Sequence, residues 1–121
     1  MTVTNHQSQA CFNAWINCED LLVSICHTGT SMSKKFSRVI DECALICMGT
    51  FHAMKSHSQN LGRLALLCVG ICEECAELCE SREEDLFQRC ALVCKECSTT
   101  LGPLAYSDLN DHSVAENEYD F

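Results

Sequence analysis

Twelve cysteines in a chain of 121 residues are the side chains best equipped for chemistry, and their spacing narrows what that chemistry is. Cys68, Cys72, Cys75 and Cys79 follow a 4-3-4 pattern, and Cys90, Cys94 and Cys97 repeat its first part. Cys43 and Cys47 stand one helical turn apart, whereas Cys11, Cys18 and Cys26 are separated by seven and eight residues. A helix advances ~100° per residue, so the third set stays within an arc of ~60° and the first within ~80°. Each set therefore forms one stripe on its own helix, at the positions that face the axis of a bundle. One or two such cysteines would read as small core hydrophobes. Twelve in four aligned stripes read as a ligand set, because Leu, Ile and Val pack a core better and carry no oxidation risk.

Side chains at i and i+4 have Cβ atoms ~5–6 Å apart, too far for an unstrained disulfide, which wants ~3.5–4.5 Å. The same pair can place two sulfurs on either side of one metal ion. Soft thiolates select Cu(I), zinc or iron–sulfur clusters. A two-coordinate Cu(I) needs two sulfurs and each thiolate can bridge two ions, so a continuous thiol column suits many Cu(I) ions, up to about one per cysteine. Zinc is the alternative: Cys72-x-x-Cys75 and Cys94-x-x-Cys97 are separated by 18 residues, a four-cysteine spacing. That site would leave eight cysteines unexplained and would sit inside helices. The bacterial cluster-binding cysteine run is absent, and Pro103 is the sole proline.

Four helices are needed to carry these stripes, and the sequence marks them. Thr4-x-x-Gln7 is a capping box and Thr28-Gly29 a stop. A second helix runs from about Ser31 or Ser33 to Lys55, followed by the polar turn at 56–60. The third runs to about Cys79; Ser81-x-x-Glu84 is a second capping box, and Gly102-Pro103 ends the fourth helix. Short connections predict an all-α, antiparallel up-down-up-down four-helix bundle with a cysteine-lined core over residues 1–103. Residues 104–121 hold five acids and no lysine or arginine, and read as an acidic C-terminal tail.

Composition sets the context. A net charge of −9 disfavours nucleic acid or an anionic membrane as partner. No run approaches the ~18 apolar residues of a membrane span. The polar start MTVTNHQSQA carries no export signal, so a cytoplasmic location and reduced thiols are expected. No nucleophile–base–orienter set and no phosphate loop is visible, so an enzyme is not expected.

The run Cys68-Val-Gly-Ile-Cys72-Glu-Glu-Cys75-Ala-Glu-Leu-Cys79, followed by Cys90-Ala-Leu-Val-Cys94-Lys-Glu-Cys97, resembles the bacterial copper storage proteins. It is also similar to the cysteine-rich four-helix-bundle domains grouped with them. The match is strongest over residues 43–97. The resemblance implies a bundle holding many Cu(I) ions along its interior, a homotetramer, and the cytosolic branch of the family. Carried over, the metal ligands are Cys43, Cys47, Cys68, Cys72, Cys75, Cys79, Cys90, Cys94 and Cys97, joined by Cys11, Cys18 and Cys26 of the first helix. The chain departs from the family pattern in three places. The first helix lacks a C-x-x-x-C pair, the second has only one, and Glu80 replaces the usual histidine after the third helix's last cysteine.

Antiparallel packing brings Cys11, Met54 and His57 to one mouth of the bundle, with Met54 and His57 expected on the cysteine faces of their helices as accessory metal ligands. Opposite, Met32, Phe36 and Phe87 are expected to close the channel with apolar bulk. Leu67, Val69, Ile71 and Leu78 flank the third stripe and are expected to fill contacts between helices or between subunits.

Overall fold

The computed structural model describes the backbone of residues 2–119 and the side chains of residues 2–106. It consists of four helices: α1 (Asn5–Thr28), α2 (Lys34–Lys55), α3 (Leu61–Glu80) and α4 (Asp85–Tyr119). Each packs against its neighbours in the chain and α1 closes against α4, the square of an up-down-up-down bundle. No strand occurs among the described residues.

Local chemistry sets most of the boundaries. Thr4 caps α1 through a complete capping box, its hydroxyl accepting from Gln7 N–H while its own N–H donates to Gln7 Oε1. Gly29 ends α1 in the left-handed region (φ 65°), where a side chain would be strained, and its N–H reaches the Ile25 carbonyl. Ser33 caps α2 by accepting from Phe36 N–H.

Two expected boundaries move. Ser81 does not open α4: it closes α3, its hydroxyl donating to the Leu78 carbonyl, and Glu84 instead pairs with Arg82. Gly102-Pro103 does not end α4, which runs on to Tyr119 with Pro103 inside it. Proline within a helix costs about 3 kcal/mol. Leu101, Leu104 and Ala105 are all buried around it, and each fully buried leucine returns ~1.5–3 kcal/mol, so packing wins over the local break. Leu104 and Ala105 thus belong to the bundle core. The side chains of the remaining acidic segment, and of His112, lie outside the described residues.

One axial stripe per helix builds the core. On α1 it reads Gln7, Cys11, Ala14, Cys18, Leu21; on α2, Phe36, Ile40, Cys43, Cys47, Thr50, Met54. On α3 it reads Leu61, Ala65, Cys68, Cys72, Cys75, Cys79, and on α4 Phe87, Cys90, Cys94, Cys97, Leu101, Leu104. The 4-3 alternation holds along all four helices, with thiols in the middle of the column and, except at Gln7 on α1 and Cys79 on α3, apolar side chains at its ends. Val69 and Ile71 fill helix contacts and Leu78 is half-buried, but Leu67 points outward at 59% exposure.

Candidate metal centre

Eleven cysteines have no solvent-exposed surface at all. Ten of them gather into three groups whose sulfurs lie within 4.8 Å of one another: Cys47, Cys68, Cys72 and Cys97; Cys18, Cys43, Cys75 and Cys94; and Cys75, Cys79 and Cys90. The first quartet takes two sulfurs from α3 and one each from α2 and α4, whereas the second takes one from every helix. Cys75 belongs to two groups, and Cys43 touches both Cys47 (4.0 Å) and Cys72 (3.8 Å). The thiols therefore form one connected column. Its shortest contacts, 3.5 Å for Cys47–Cys72 and 3.6 Å for Cys47–Cys68, are far longer than the ~2.0 Å of a disulfide. All twelve cysteines are free thiols.

Cys11 adjoins the first quartet from the mouth side, its Sγ donating to the Cys47 carbonyl at 3.1 Å. Cys26 breaks the expected pattern. It is exposed and joins none of the groups. The physical reason is register: the 4-3 alternation Cys11, Ala14, Cys18, Leu21 continues to Ile25, which packs on the core, and Cys26 is one residue past it. An arc of ~80° is wide enough to hold a residue that faces out.

Burial and mutual contact reshape the acidity of these thiols. In an array that shares protons, a sulfur that receives a neighbour's S–H is held as thiolate and its partner keeps the proton. Cys11, then Cys47, stabilise the Cys97 thiolate and bring it to about 7. The hydrogen bond from Cys18 holds Cys43 and Cys94 below the ordinary thiol range. Cys18 itself is pushed far up by its contacts with Cys43, Cys75, Cys90 and Cys94 and by desolvation. Cys72 rises for the same reasons, Cys43 first. A column of this kind holds some thiolates ready for a cation and releases further protons as cations replace them.

The two ends of the column differ. At the end where α1 finishes, Phe36 and Phe87 meet edge to face at 5.7 Å, over Leu21 and Ile40, with Met32 packed alongside. The Arg82 guanidinium lies 4.7 Å from the Phe87 ring and pairs with Glu84, while reaching the Ser31 carbonyl. Apolar bulk caps this end, as the sequence predicted, and two clefts of about 640 and 230 Å³ open beside the cap, lined by Met32 and by Leu21 and Phe87 respectively. At the other end Met54 is buried on the α2 stripe, as expected, and lines two surface clefts of about 460 and 180 Å³. His57 also lines both clefts but not from the cysteine face of α3. It lies in the turn before that helix, exposed, with a left-handed φ of 55°.

Charge follows the same polarity. Residues 2–18, 43–72 and 97–106, which form the mouth half of the bundle, contain no aspartate or glutamate. Their ionisable side chains outside the column are Lys55, Arg63, His6, His52 and His57, with Tyr106. Among the described residues the mouth clefts are lined by a thioether and an imidazole and no carboxylate, while Glu96, just outside these ranges, lies 3.9 Å from His6.

Sequence reasoning passed over Thr50, Ala14, Leu21 and Ile40. Thr50 is fully buried and returns its hydroxyl to the Ile46 carbonyl at 2.7 Å. Extending the 4-3-4 pattern would have found it, since Cys43, Cys47, Thr50 and Met54 repeat the spacing of Cys68 to Cys79.

Fold and site together define an all-α metal-binding bundle whose interior is a column of soft thiol ligands. The sequence profile of the copper storage proteins matches residues 2–105, and the chain belongs to that family. A solved structure, the Cu(I)-bound copper storage protein BsCsp3, aligns with a TM-score of 0.75 at 26% identity. The alignment covers 82% of this chain and 94% of that one. No curated protein matches in sequence.

Proposed function

We propose that this chain sequesters many Cu(I) ions in its interior, as a store or a detoxifying buffer, with Cys11, Cys18, Cys43, Cys47, Cys68, Cys72, Cys75, Cys79, Cys90, Cys94 and Cys97 as thiolate ligands. The observation that carries the reading is the connected column of buried, unpaired thiols, supported by membership of the copper storage family. Separate closed zinc sites would each claim four sulfurs. Here the groups share Cys75 and touch through Cys43, which suits bridging thiolates. Copper in a dry thiolate column is kept from water and oxidants, so the role is storage and not catalysis.

Met54, with its thioether buried beneath the mouth clefts, and His57 on their rim are the accessory ligands through which copper reaches Cys11. The mouth clefts have no carboxylate among their described lining residues, which favours a soft ion over hard divalent cations there. Cys26, exposed and away from the column, is not part of the store. The cytoplasm is the compartment that would keep such a store's thiols reduced and free to bind. The outward-facing Leu45, Leu67 and Leu92 give a homotetramer apolar surface to bury. The residues after Tyr106 form its acidic appendage.

Anaerobic Cu(I) titration of the reduced protein against a strong chromogenic chelator tests the reading. The chelator complex is expected only after many equivalents have been added. Its appearance after one or two equivalents would rule storage out and leave a single small site. Since each thiol gives up a proton to bind, loading is expected to acidify weakly buffered solution and to weaken as pH falls.

A further inference from the structure

The segment preceding α1 lies over the mouth, and we infer that it is a gate on the column, with Val3 as the gate residue. The inference rests on the copper reading above for what passes through, but not for the gate itself.

Three residues are common to both mouth clefts: Val3, Met54 and His57. They form the wall between the clefts, and Met54 is the member of that wall that belongs to the core. Val3 is outside any helix, yet it is half-buried and packs on the same core. Thr2 lines the larger cleft, and Thr4 and Asn5 line the smaller. The segment thus crosses the bundle end above Met54, on the path to Cys11. At the capped end the corresponding cover is two buried aromatic rings held by an arginine. At the mouth it is one valine on a short extended segment.

What holds that segment is the capping box. Thr4 is extended (φ −91°, ψ 160°) and tied at two points, its N–H to Gln7 Oε1 at 2.9 Å and its hydroxyl to Gln7 N–H at 3.1 Å. Gln7 is the first buried residue of the α1 stripe, one turn before Cys11. The Thr4–Gln7 pair therefore anchors the strap at a residue that itself stands at the head of the column. Residues 2 and 3 have no hydrogen-bond anchor among the described contacts, so Val3 can lift without breaking the cap. Lifting it joins the two clefts and uncovers Met54.

The test uses the full-length reduced protein, wild type and Val3→Gly, with Val3→Ile as the conservative restoration. The first readout needs no metal. The apo protein is labelled with an aromatic disulfide reagent, and the labelled cysteines are mapped with time by peptide mass. Exposed Cys26 labels first in every variant and serves as the internal reference. Cys11 is expected to label about tenfold faster in Val3→Gly and at the wild-type rate in Val3→Ile, a change on the order of a half-buried valine's contribution. Met32→Ala, at the capped end, loosens the bundle without touching the mouth and should leave Cys11 labelling unchanged. The second readout is the rate of Cu(I) uptake from a chelator complex, which should rise in Val3→Gly with capacity unaltered.

Unchanged Cys11 labelling in Val3→Gly would overturn the gate, as would equal acceleration in Met32→Ala, which would mean global opening. Faster labelling with unchanged copper uptake would overturn it as a copper gate. Failure of the copper reading would show separately, as a low capacity in the wild type.

Discussion

The α3–α4 pair and the α1–α2 pair line the same axis with stripes of the same register, but fill them differently. Consecutive central positions on α3 and α4 are all cysteine, seven sulfurs between Cys68 and Cys97. The facing positions on α1 and α2 carry fewer sulfurs, with only Cys43 and Cys47 consecutive: Ala14 stands between Cys11 and Cys18, Leu21 after Cys18, Thr50 after Cys47. The difference teaches that helix geometry alone does not set the store's capacity. All four helices have the register, and capacity depends on how many register positions carry sulfur. The denser pair forms the continuous side of the column; the sparser pair adds Cys47 to one quartet and Cys18 and Cys43 to the other, and nothing to the group of Cys75, Cys79 and Cys90.

That contrast can be sharpened by substitution. The largest effect is expected at Cys72, which touches Cys43, Cys47 and Cys68. Replacing it with serine should remove about two bound Cu(I) ions, the number one bridging thiolate serves, in an anaerobic titration. A smaller gain is expected from filling a gap on the sparse side. Ala14→Cys, at a fully buried stripe position, should add about one ion. Overpacking there should cost about 1–3 kcal/mol in denaturant unfolding of the apo protein. No change in capacity is expected for Cys26→Ser. A loss there equal to that at Cys72 would mean that the exposed first-helix thiol belongs to the store after all.

Much of this was legible because thiols are ligands at helical spacing, and a period of 3.6 converts spacing into direction. The four helices, the capped end at Phe36 and Phe87, and the depth of Met54 followed from that rule. What was not legible depended on tertiary packing overriding local signals. Gly102-Pro103 is a strong local stop, but Leu101 and Leu104 are both buried in the core and the helix continues. Ser81 has the sequence of a cap, yet the hydroxyl is spent on the α3 carbonyl that precedes it. His57 could be placed on a helical face only if α3 began before Leu61. Cys26 shows the limit of an angular argument: Ile25 holds the core register, and its neighbour one residue on faces solvent.

The central claim is that copper lies among the eleven buried thiols and nowhere else. Anomalous diffraction at the copper edge, from crystals of protein loaded anaerobically with excess Cu(I) and then washed with chelator, tests it most directly. The account predicts a file of copper peaks along the bundle axis from Cys11 to Cys79 and Cys90, with sulfur as the main ligand and no peak at Cys26. Peaks confined to the surface, or a single tetrahedral site with the other thiols bare, would contradict it.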